Sequence, residues 1–425
     1  MKSQINHWLP LVLCLWGSAS RAEAIGLDEA VISALARDPA LISMKHTTAA
    51  LATMPDRIAA LPDPVLSINA MNLPVDTFDL DQEPMSQLQV QLSQGVPYPG
   101  KRGLKKEIAE LAVHTSSLQQ AEYRDALIAR VRTAWWDLLV AGKTLAIIRR
   151  NERLLSDFIE VAGAKYSVGN GLQQDVLLAQ LELTRLQERA ADAMGGYSRH
   201  EASLAGLIGR SPGGGITIDE ESLDNTLPGL GPLSTLVSKA IESRKLIEVR
   251  RQQVRAAELQ IDLAEKNRLP DFRFGLGYGL RQDGDMPAQD RPDFVSVMFS
   301  MNLPLYSKQK QDRLVEQRLA EHTRETALLD DALWNMRSDI GQLASDYLAA
   351  KEQVEITKMK IIPLAEQTVD SMLAGYQVNK VDFLNLINGQ VMLYNARINY
   401  WHTLGRAKRA LAMLAASVGE ESLYE

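Results

Sequence analysis

The sequence predicts a mainly α-helical fold that carries four β-strands of a membrane β-barrel and is built from two similar halves. Three observations predict it. They are two repeats about 208 residues apart, short segments in which apolar and polar side chains alternate, and long proline-poor stretches with coiled-coil spacing. With 425 residues, 46% of them hydrophobic and 23% charged, the chain is long enough to bury a large core.

The duplication is visible residue by residue. Leu61-Pro62-Asp63 recurs as Leu269-Pro270-Asp271, a shift of 208. Pro97 and Lys101 recur as Pro304 and Lys308, a shift of 207. A period this long describes a whole structural unit, so the chain has two large halves and is not a solenoid. Further matches, all shifted by 210, are Tyr166 with Tyr376, Val168 with Val378, Gln180 with Gln390 and Gly209 with Gly419.

The first residues have the composition of an export signal. Lys2 supplies a positive start, Leu9–Trp16 an apolar centre and Ala22-Glu23-Ala24 a small-x-small cleavage site. The alternative is an apolar N-terminal helix that is retained. Cleavage after Ala24 would remove Cys14, the single cysteine, and with it disulfides, thiol catalysis and cysteine metal ligands. No later apolar run reaches 18 residues, so no spanning helix is expected.

The repeats and the export signal set the predicted boundaries. We expect a signal peptide at 1–24, a first repeat at 25–212, a linker at 213–231, a second repeat at 232–419 and a tail at 420–425. The first repeat should hold strands at about 64–73 and 86–96, a long helix at 104–165, a tip (the turn between two helices) at 166–172 and a helix at 172–208. The second should hold strands at about 271–281 and 293–304, a long helix at 308–375, a tip at 376–381 and a helix at 380–417. Shorter helical segments are expected at about 27–60 and 232–268.

The predicted strands have one apolar face. Gln87–Ser93 alternates strictly, Phe272–Leu280 alternates apolar residues with Arg or Gly, and Val295–Leu303 repeats the period. About ten residues of this kind cross a bilayer as a tilted strand. A soluble sheet has the same pattern, but the export signal favours the membrane. Since the smallest membrane barrels have about eight strands and open edges are costly in lipid, several copies must share one barrel.

The predicted long helices have the spacing of a coiled coil. No proline occurs from Leu104 to Tyr166, and Pro363 is the one break in the second long helix. A helix of about sixty residues is roughly 90 Å long, which is far more than a bilayer requires. The apolar positions separated by three and four residues are Leu104, Ile108, Leu111 and Leu118 in the first half, and Leu329, Leu333, Met336, Ile340, Leu343 and Tyr347 in the second.

The hairpins, the long helices and the duplicated turns at 166–169 and 376–379 together resemble the TolC family of outer-membrane efflux ducts. The resemblance covers essentially the whole mature chain. It implies a homotrimer whose twelve strands close one barrel in outer-membrane lipid and whose helices form a tunnel across the periplasm. It implies a passive duct rather than an enzyme. The implied partners are a periplasmic adaptor (membrane fusion) protein and an inner-membrane RND-type pump.

The resemblance places the adaptor contacts at the two tips. Asn379 stands where the family motif has glycine, and asparagine tolerates the left-handed backbone that such a turn needs. A turn between helices would need Gly169 and Asn379 even if it bound nothing, so a purely structural role stays open. The predicted adaptor-binding residues are Ser167, Val168, Gly169 and Leu172 in the first tip, and Gln377, Val378, Asn379 and Lys380 in the second.

The family also closes its tunnel with acidic residues that follow the tip tyrosine. The same spacing gives Asp175 in the first repeat, but Asn385 and Asn388 in the second. The resemblance therefore implies a channel constriction at these three positions with one acidic ring, and a second ring is missing. The alternative for Asp175 is a structural role as a carboxylate in the first turn of a helix, where the helix dipole favours it.

The cargo is inferred from resemblance alone. Leu73–Asp76, Glu83–Met85 and Pro97–Arg102 are similar to the branch of the family that accompanies heavy-metal pumps for copper, silver, cobalt, zinc or cadmium. The alternative is a multidrug or type I protein secretion duct. A more remote alternative is a structural coiled-coil protein of the periplasm.

Several classes of function find no support in the sequence. A net charge of −7 leaves no basic excess for nucleic acid. The six histidines lack ligand spacing, so we expect no metal site. The glycines of Phe274–Gly279 lie within a strand pattern and lack the strand-turn-helix context of a phosphate loop. We identify no catalytic residue and no cofactor.

Overall fold

A computed structural model describes residues 24–220, 223–283, 291–378 and 380–424. Residues 1–23 of the predicted signal peptide and Asn379 of the second tip lie outside this part of the chain. The helices are α1 (Leu27–Arg37), α2 (Pro39–Ala52), α3 (Met54–Ala59), α4 (Lys101–Ser167), α5 (Gln173–Leu207), α6 (Leu233–Ser243), α7 (Lys245–Lys266), α8 (Gln311–Ile356), α9 (Ile362–Gln377) and α10 (Phe383–Val418). The strands are β1 (Ala24–Ile25), β2 (Val65–Met71), β3 (Gln87–Val96), β4 (Thr217–Ile218), β5 (Phe272–Leu280) and β6 (Phe294–Met301).

The fold class is confirmed, because the chain is mainly helical and the four predicted strands form a single sheet. The chain divides into two compact units. The tip unit consists of residues up to Asp38, Leu127–Pro228 and Ser345–Ala412. The sheet unit consists of Pro39–Ala126, Gly229–Ala344 and Met413–Glu425. Each unit therefore takes segments from both sequence repeats. Among the described helices, none combines the length and the apolar character needed to span a membrane.

The sheet has the strand order β2-β3-β5-β6, and all neighbours are antiparallel. Val65 pairs with Ser93, Val96 with Phe272, and Phe272 with Met301. The two hairpins thus join through β3 and β5. Strands β2 and β6 are the edges.

One face of the sheet is apolar and the other is polar. Leu276 pairs with Leu92 and with Val297, and all three side chains are exposed. On the opposite face, the glycines of β5 lie against glutamines of β3. A Cβ added at Gly279 would collide with the side chain of Gln87. The glycine spacing in Phe272–Leu280 therefore makes room for glutamine side chains on the polar face.

A buried lysine connects the start of α4 to the start of β5. Lys101 is 4% exposed, and its Nζ donates to the Leu269 carbonyl oxygen and to Asp271 Oδ1, each at 2.9 Å. The backbone N–H of Tyr98 donates to the same carboxylate oxygen at 2.8 Å. Residues that the repeats had singled out, Lys101 and Asp271, thus form an ion pair between the two halves of the chain.

Each unit has its own apolar core. In the sheet unit, the predicted heptad residues Met336 and Ile340 are buried against α6 and α10 through Leu236, Ala240 and Leu414. The core of the tip unit includes a hydrogen bond between two buried amides, in which Gln390 Nε2 donates to Asn151 Oδ1 at 2.7 Å. Around it pack apolar residues of α4, α5, α9 and α10, namely Ile148, Leu155, Ala162, Ala179, Leu186, Tyr376, Phe383, Leu386, Ile387 and Tyr394.

The second long helix differs from the prediction. We expected one helix over 308–375, but α8 ends at Ile356 and a π-helical segment, Thr357–Ile361, precedes α9. Pro363 lies in the first turn of α9. Proline has no N–H to donate and its ring crowds the carbonyl four residues earlier, so the regular hydrogen-bond ladder is interrupted there.

The predicted linker and tail also contain structure. Within 213–231, β4 pairs in parallel with β1, and Glu201 Oε1 accepts the N–H groups of Gly215 and Ile216. In the tail, Glu420 pairs with Lys239 at 2.9 Å, and a short 3₁₀ helix, Glu421–Leu423, follows. Strands of two residues carry no periodic pattern, so the sequence did not predict them.

Candidate functional site

The first tip is a glycine-terminated helix end. After α4 ends at Ser167, the N–H of Gly169 donates to the Tyr166 carbonyl and the N–H of Asn170 to the Lys165 carbonyl, at 3.0 and 2.9 Å. Gly169 has a φ of +76°. These are the two hydrogen bonds of a Schellman motif with glycine in the left-handed position.

The second tip repeats the hydrogen bond that spans five residues. The N–H of Lys380 donates to the Gly375 carbonyl at 2.8 Å, which is the same five-residue separation as between Asn170 and Lys165. Asn379, at the position equivalent to Gly169, lies outside the described residues. The two tips therefore share a hydrogen bond as well as a sequence motif.

The described residues predicted to contact an adaptor are all exposed. Val168, Leu172 and Val378 expose 70%, 64% and 63% of their surface, although each is apolar. Exposed apolar side chains that cluster at a turn are a feature of protein-binding surfaces. The polar and glycine residues among the predicted contacts are exposed as well, and these are Ser167, Gly169, Gln377 and Lys380.

Lys165, in the last turn of α4, contacts the tyrosine of the second tip. Lys165 Nζ donates to the Tyr376 carbonyl oxygen at 2.8 Å and lies 4.1 Å from the centroid of its ring. Tyr376 is 7% exposed and packs against Phe383, with ring centroids 5.3 Å apart. Tyr166, its repeat equivalent, is 49% exposed. The duplicated tyrosines thus have different roles: one anchors the tips to each other and one faces outward.

Asp175 lies in the first turn of α5, half-buried, and its backbone N–H donates to the Leu172 carbonyl at 3.1 Å. Desolvation raises the pKa of the Asp175 carboxyl above its ordinary value, and the charge of Asp382 raises it further. A hydrogen bond with the backbone of Leu172 and the charge of Lys165 act in the opposite direction. Asp175 is therefore held more readily in its protonated form than an ordinary aspartate.

Asp382 is an acidic residue that the ungapped sequence count did not find. It directly precedes α10, and its carbonyl oxygen accepts the N–H groups of Asn385 and Leu386. The negative charge of Asp382 raises the pKa of Asp175. Asn385 and Asn388, the residues at the expected positions, are exposed on α10. The second repeat therefore brings a carboxylate to this site three residues before the expected position. The available signal was an aspartate near the start of the helix predicted at 380–417, because aspartate is common at helix N-termini.

Among the described ranges, no group of three or more His, Cys, Asp or Glu residues has the geometry to hold a metal ion. What the two tips present is an exposed apolar surface, a cation at Lys380 and a pair of interacting carboxylates. Such a surface is suited to binding another protein and to interacting with passing ions.

Part of the chain matches a known family. Residues 236–420, nearly the whole second repeat, match the family described as outer membrane efflux protein. The cobalt-zinc-cadmium resistance protein CzcC of Cupriavidus metallidurans is 20% identical over 321 residues, which cover 75% of this chain and 74% of that protein.

Solved structures share the fold over almost the whole chain. The outer membrane protein VceC of Vibrio cholerae aligns with a TM-score of 0.76 and 15% identity, covering 94% of this chain and 97% of that one. CusC, whose structures describe transmembrane channel formation, aligns with a TM-score of 0.74 and 13% identity over 93% of this chain and 92% of its own. The second half of the chain thus matches the outer membrane efflux protein family, and nearly the whole chain has the fold of solved outer-membrane channel proteins.

Proposed function

We propose that this protein is the exit duct of a tripartite efflux system and that it carries heavy-metal cations out of the cell. In this proposal three copies close one barrel of twelve strands. A periplasmic adaptor joins the duct to an inner-membrane RND-type pump, which supplies the energy. The duct itself is passive.

The strand count supports self-assembly. The four-stranded sheet has an apolar face and two open edges, β2 and β6. A sheet edge in hydrocarbon leaves N–H and C=O groups without hydrogen bonds, so barrels in membranes are closed. Three copies supply twelve strands, which is within the range of known membrane barrels.

The exposed tips support docking of an adaptor. Val168, Leu172 and Val378 expose apolar surface beside the positive charge of Lys380. A partner that covers these side chains would gain roughly 25 cal/mol for each Å² of apolar surface removed from water. The Schellman hydrogen bonds already fix the backbone of the first tip, so binding of a partner there should cost little conformational entropy.

The similarity to CzcC carries the assignment of metal as cargo, because that relative is a cobalt-zinc-cadmium resistance protein and the match covers three quarters of the chain. Cargo that passes through a duct needs no tight binding site. The interacting carboxylates Asp175 and Asp382 would nevertheless favour cations over anions at the tips.

Tolerance of a deletion strain tests the proposal. Loss of the gene should lower tolerance to cobalt, zinc or cadmium, with little change in tolerance to organic drugs, and the intact gene should restore it. The readout is growth across concentration series of each metal and of several unrelated drugs. Equal sensitivity to metals and drugs would remove metal as the preferred cargo and favour a multidrug duct.

The replacement Asp175→Asn should change ion conduction. Removing a carboxylate that faces Asp382 lowers the local negative charge, so we expect reduced selectivity for cations and an altered single-channel conductance in a planar bilayer.

Recordings at lower pH provide the control for the Asp175→Asn variant. Because the pKa of Asp175 is raised, its charge is present at neutral pH and is lost as the pH falls through that raised value, before an ordinary aspartate would be protonated. The difference between the variant and the wild type should therefore shrink on acidification. Identical recordings at neutral pH would show that Asp175 only favours the start of α5.

A further inference from the structure

The two edges of the sheet have no partner strand within the described chain. β2 pairs with β3 and β6 pairs with β5. Both edges carry exposed apolar residues, among them Leu66 and Ile68 on β2, and Val297 and Phe299 on β6. The proposed closed barrel requires each edge to meet a strand of another copy.

The two hairpins have the same register. In the first hairpin Val65 pairs with Ser93. The residues 208 and 207 positions further along are Arg273 and Ser300, and these also pair. The shifts that relate the sequence repeats therefore carry one hairpin onto the other without a slip. The contact between the inner strands β3 and β5 should therefore have an equivalent between the outer strands β6 and β2.

The contact between β3 and β5 within the chain shows what that equivalent is. Ser93 lies opposite Gly275, and Gln94 lies opposite Phe274. Moving the β3 residues forward and the β5 residues back by the repeat shifts replaces these pairs by Ser300 with Ser67 and Met301 with Leu66. We propose that β6 of one copy pairs antiparallel with β2 of the next in this register, and that Lys308 forms an ion pair there with Asp63. The inference rests on the proposed barrel but fixes its protomer interface residue by residue.

The faces of the strands support this register independently. Met301 and Phe299 point to the apolar face, since they pair with Phe272 and Phe274 of β5. Leu66 lies on the apolar face too, because it pairs with Leu92 of β3. The inferred pairs therefore match apolar with apolar and, at Ser300 with Ser67, polar with polar. A slip by one residue would place every apolar side chain opposite a polar one.

The proposed ion pair between Lys308 and Asp63 is the repeat equivalent of the observed one between Lys101 and Asp271. Lys101 binds Asp271 at 2.9 Å within one chain. Their repeat equivalents, Lys308 and Asp63, are both exposed, and neither takes part in an ion pair within the described ranges. One difference between the repeats is visible here: α8 begins at Gln311, three residues after Lys308, whereas Lys101 is the first residue of α4.

Disulfide cross-linking tests the register in the full-length protein. In a Cys14→Ser background, the pair Ser67→Cys and Ser300→Cys should form covalent dimers and trimers on a non-reducing gel, because residues opposite each other in antiparallel strands are within disulfide distance. The matched controls combine Ser300→Cys with Val65→Cys or with Asn69→Cys. They keep the same face but move the partner two residues, or about 7 Å, along the strand.

The outcomes separate this inference from the proposed function. Cross-linking confined to Ser67 with Ser300 supports the interface. Trimers that link better through Val65 or Asn69, or through none of the three, overturn the register but leave the duct in place. Protein that sizes as a monomer in detergent overturns both.

Charge exchange tests the ion pair separately. Lys308→Glu and Asp63→Lys should each lower the temperature at which the trimer separates in detergent, and the double exchange should restore it. Lys310→Glu is the control, because Lys310 is also exposed and lies two residues away. Lack of rescue by the double exchange would overturn the pairing of Lys308 with Asp63.

Discussion

Export should fall to the level of the deletion strain when Gly169 is replaced by valine. Gly169 has a φ of +76°, a left-handed conformation that costs an ordinary residue about 1–2 kcal/mol and a β-branched one more. The first tip would then rearrange, and the exposed Val168 and Leu172 would no longer be presented together. Metal tolerance of complemented deletion cells is the readout, with trimers measured in the same membranes.

Gly163→Val is the matched control for this variant. A Cβ at either Gly163 or Gly169 would meet no atom within 4 Å, so the two positions are alike in the space available to a Cβ. Gly163 lies within α4 and lacks the positive φ. Normal export with Gly169→Val, or an equal loss with Gly163→Val, would contradict a role for the tip geometry.

Lys380→Glu tests the same surface through its charge. Reversal at this exposed lysine should impair export while trimers persist, because the proposed docking surface includes Lys380 and the proposed barrel interface does not. Lys358→Glu serves as the control, since Lys358 is exposed in the π-helical segment away from the tips. Similar export from both variants would remove Lys380 from the docking surface.

Asp271→Ala should destabilise the sheet unit by about 1–3 kcal/mol. Removing one partner of a buried ion pair costs roughly 3–5 kcal/mol when both groups are buried. The Asp271 side chain is 46% exposed, so water compensates part of that loss. The variant leaves the buried Lys101 ammonium with the Leu269 carbonyl alone and leaves the Tyr98 N–H without its acceptor.

An exposed ion pair provides the comparison. Arg255 and Glu107 lie 3.8 Å apart, with side chains 56% and 49% exposed. Exposed pairs contribute about 0–1 kcal/mol, so Glu107→Ala should have little effect. Thermal unfolding of the detergent-extracted protein, followed by circular dichroism, measures both. Equal changes in unfolding temperature for the two variants would show that the ion pair of Lys101 with Asp271 adds no more stability than a surface contact.

The elements with a clear period were predictable from the sequence. Alternation located the strand pair that forms β5 and β6, and the proline-free stretch after Leu104 located α4, which extends from Lys101 to Ser167. Both patterns persist over many residues, so chance matches are rare. The repeat identified Lys101 and Asp271, but it did not reveal that they bind each other, because a duplication does not state which copy contacts which.

Features that depend on one or two residues were not predictable. The π-helical segment before Pro363 has no periodic signal of its own, and the two-residue strands β1 and β4 are too short to show alternation. Asp382 was missed because the count from Tyr376 assumed that the two tips align without gaps. The structure instead brings Asp382 to Asp175 through the arrangement of α5 and α10 in the tip unit.

The most direct test of the central claim is the mass and conductance of the purified protein. We predict that protein extracted from the outer membrane in detergent has three times the mass of a single chain and forms ion-conducting channels in a planar bilayer. A monomer that conducts nothing, or a protein that leaves the membrane fraction without detergent, would contradict the account of a shared barrel.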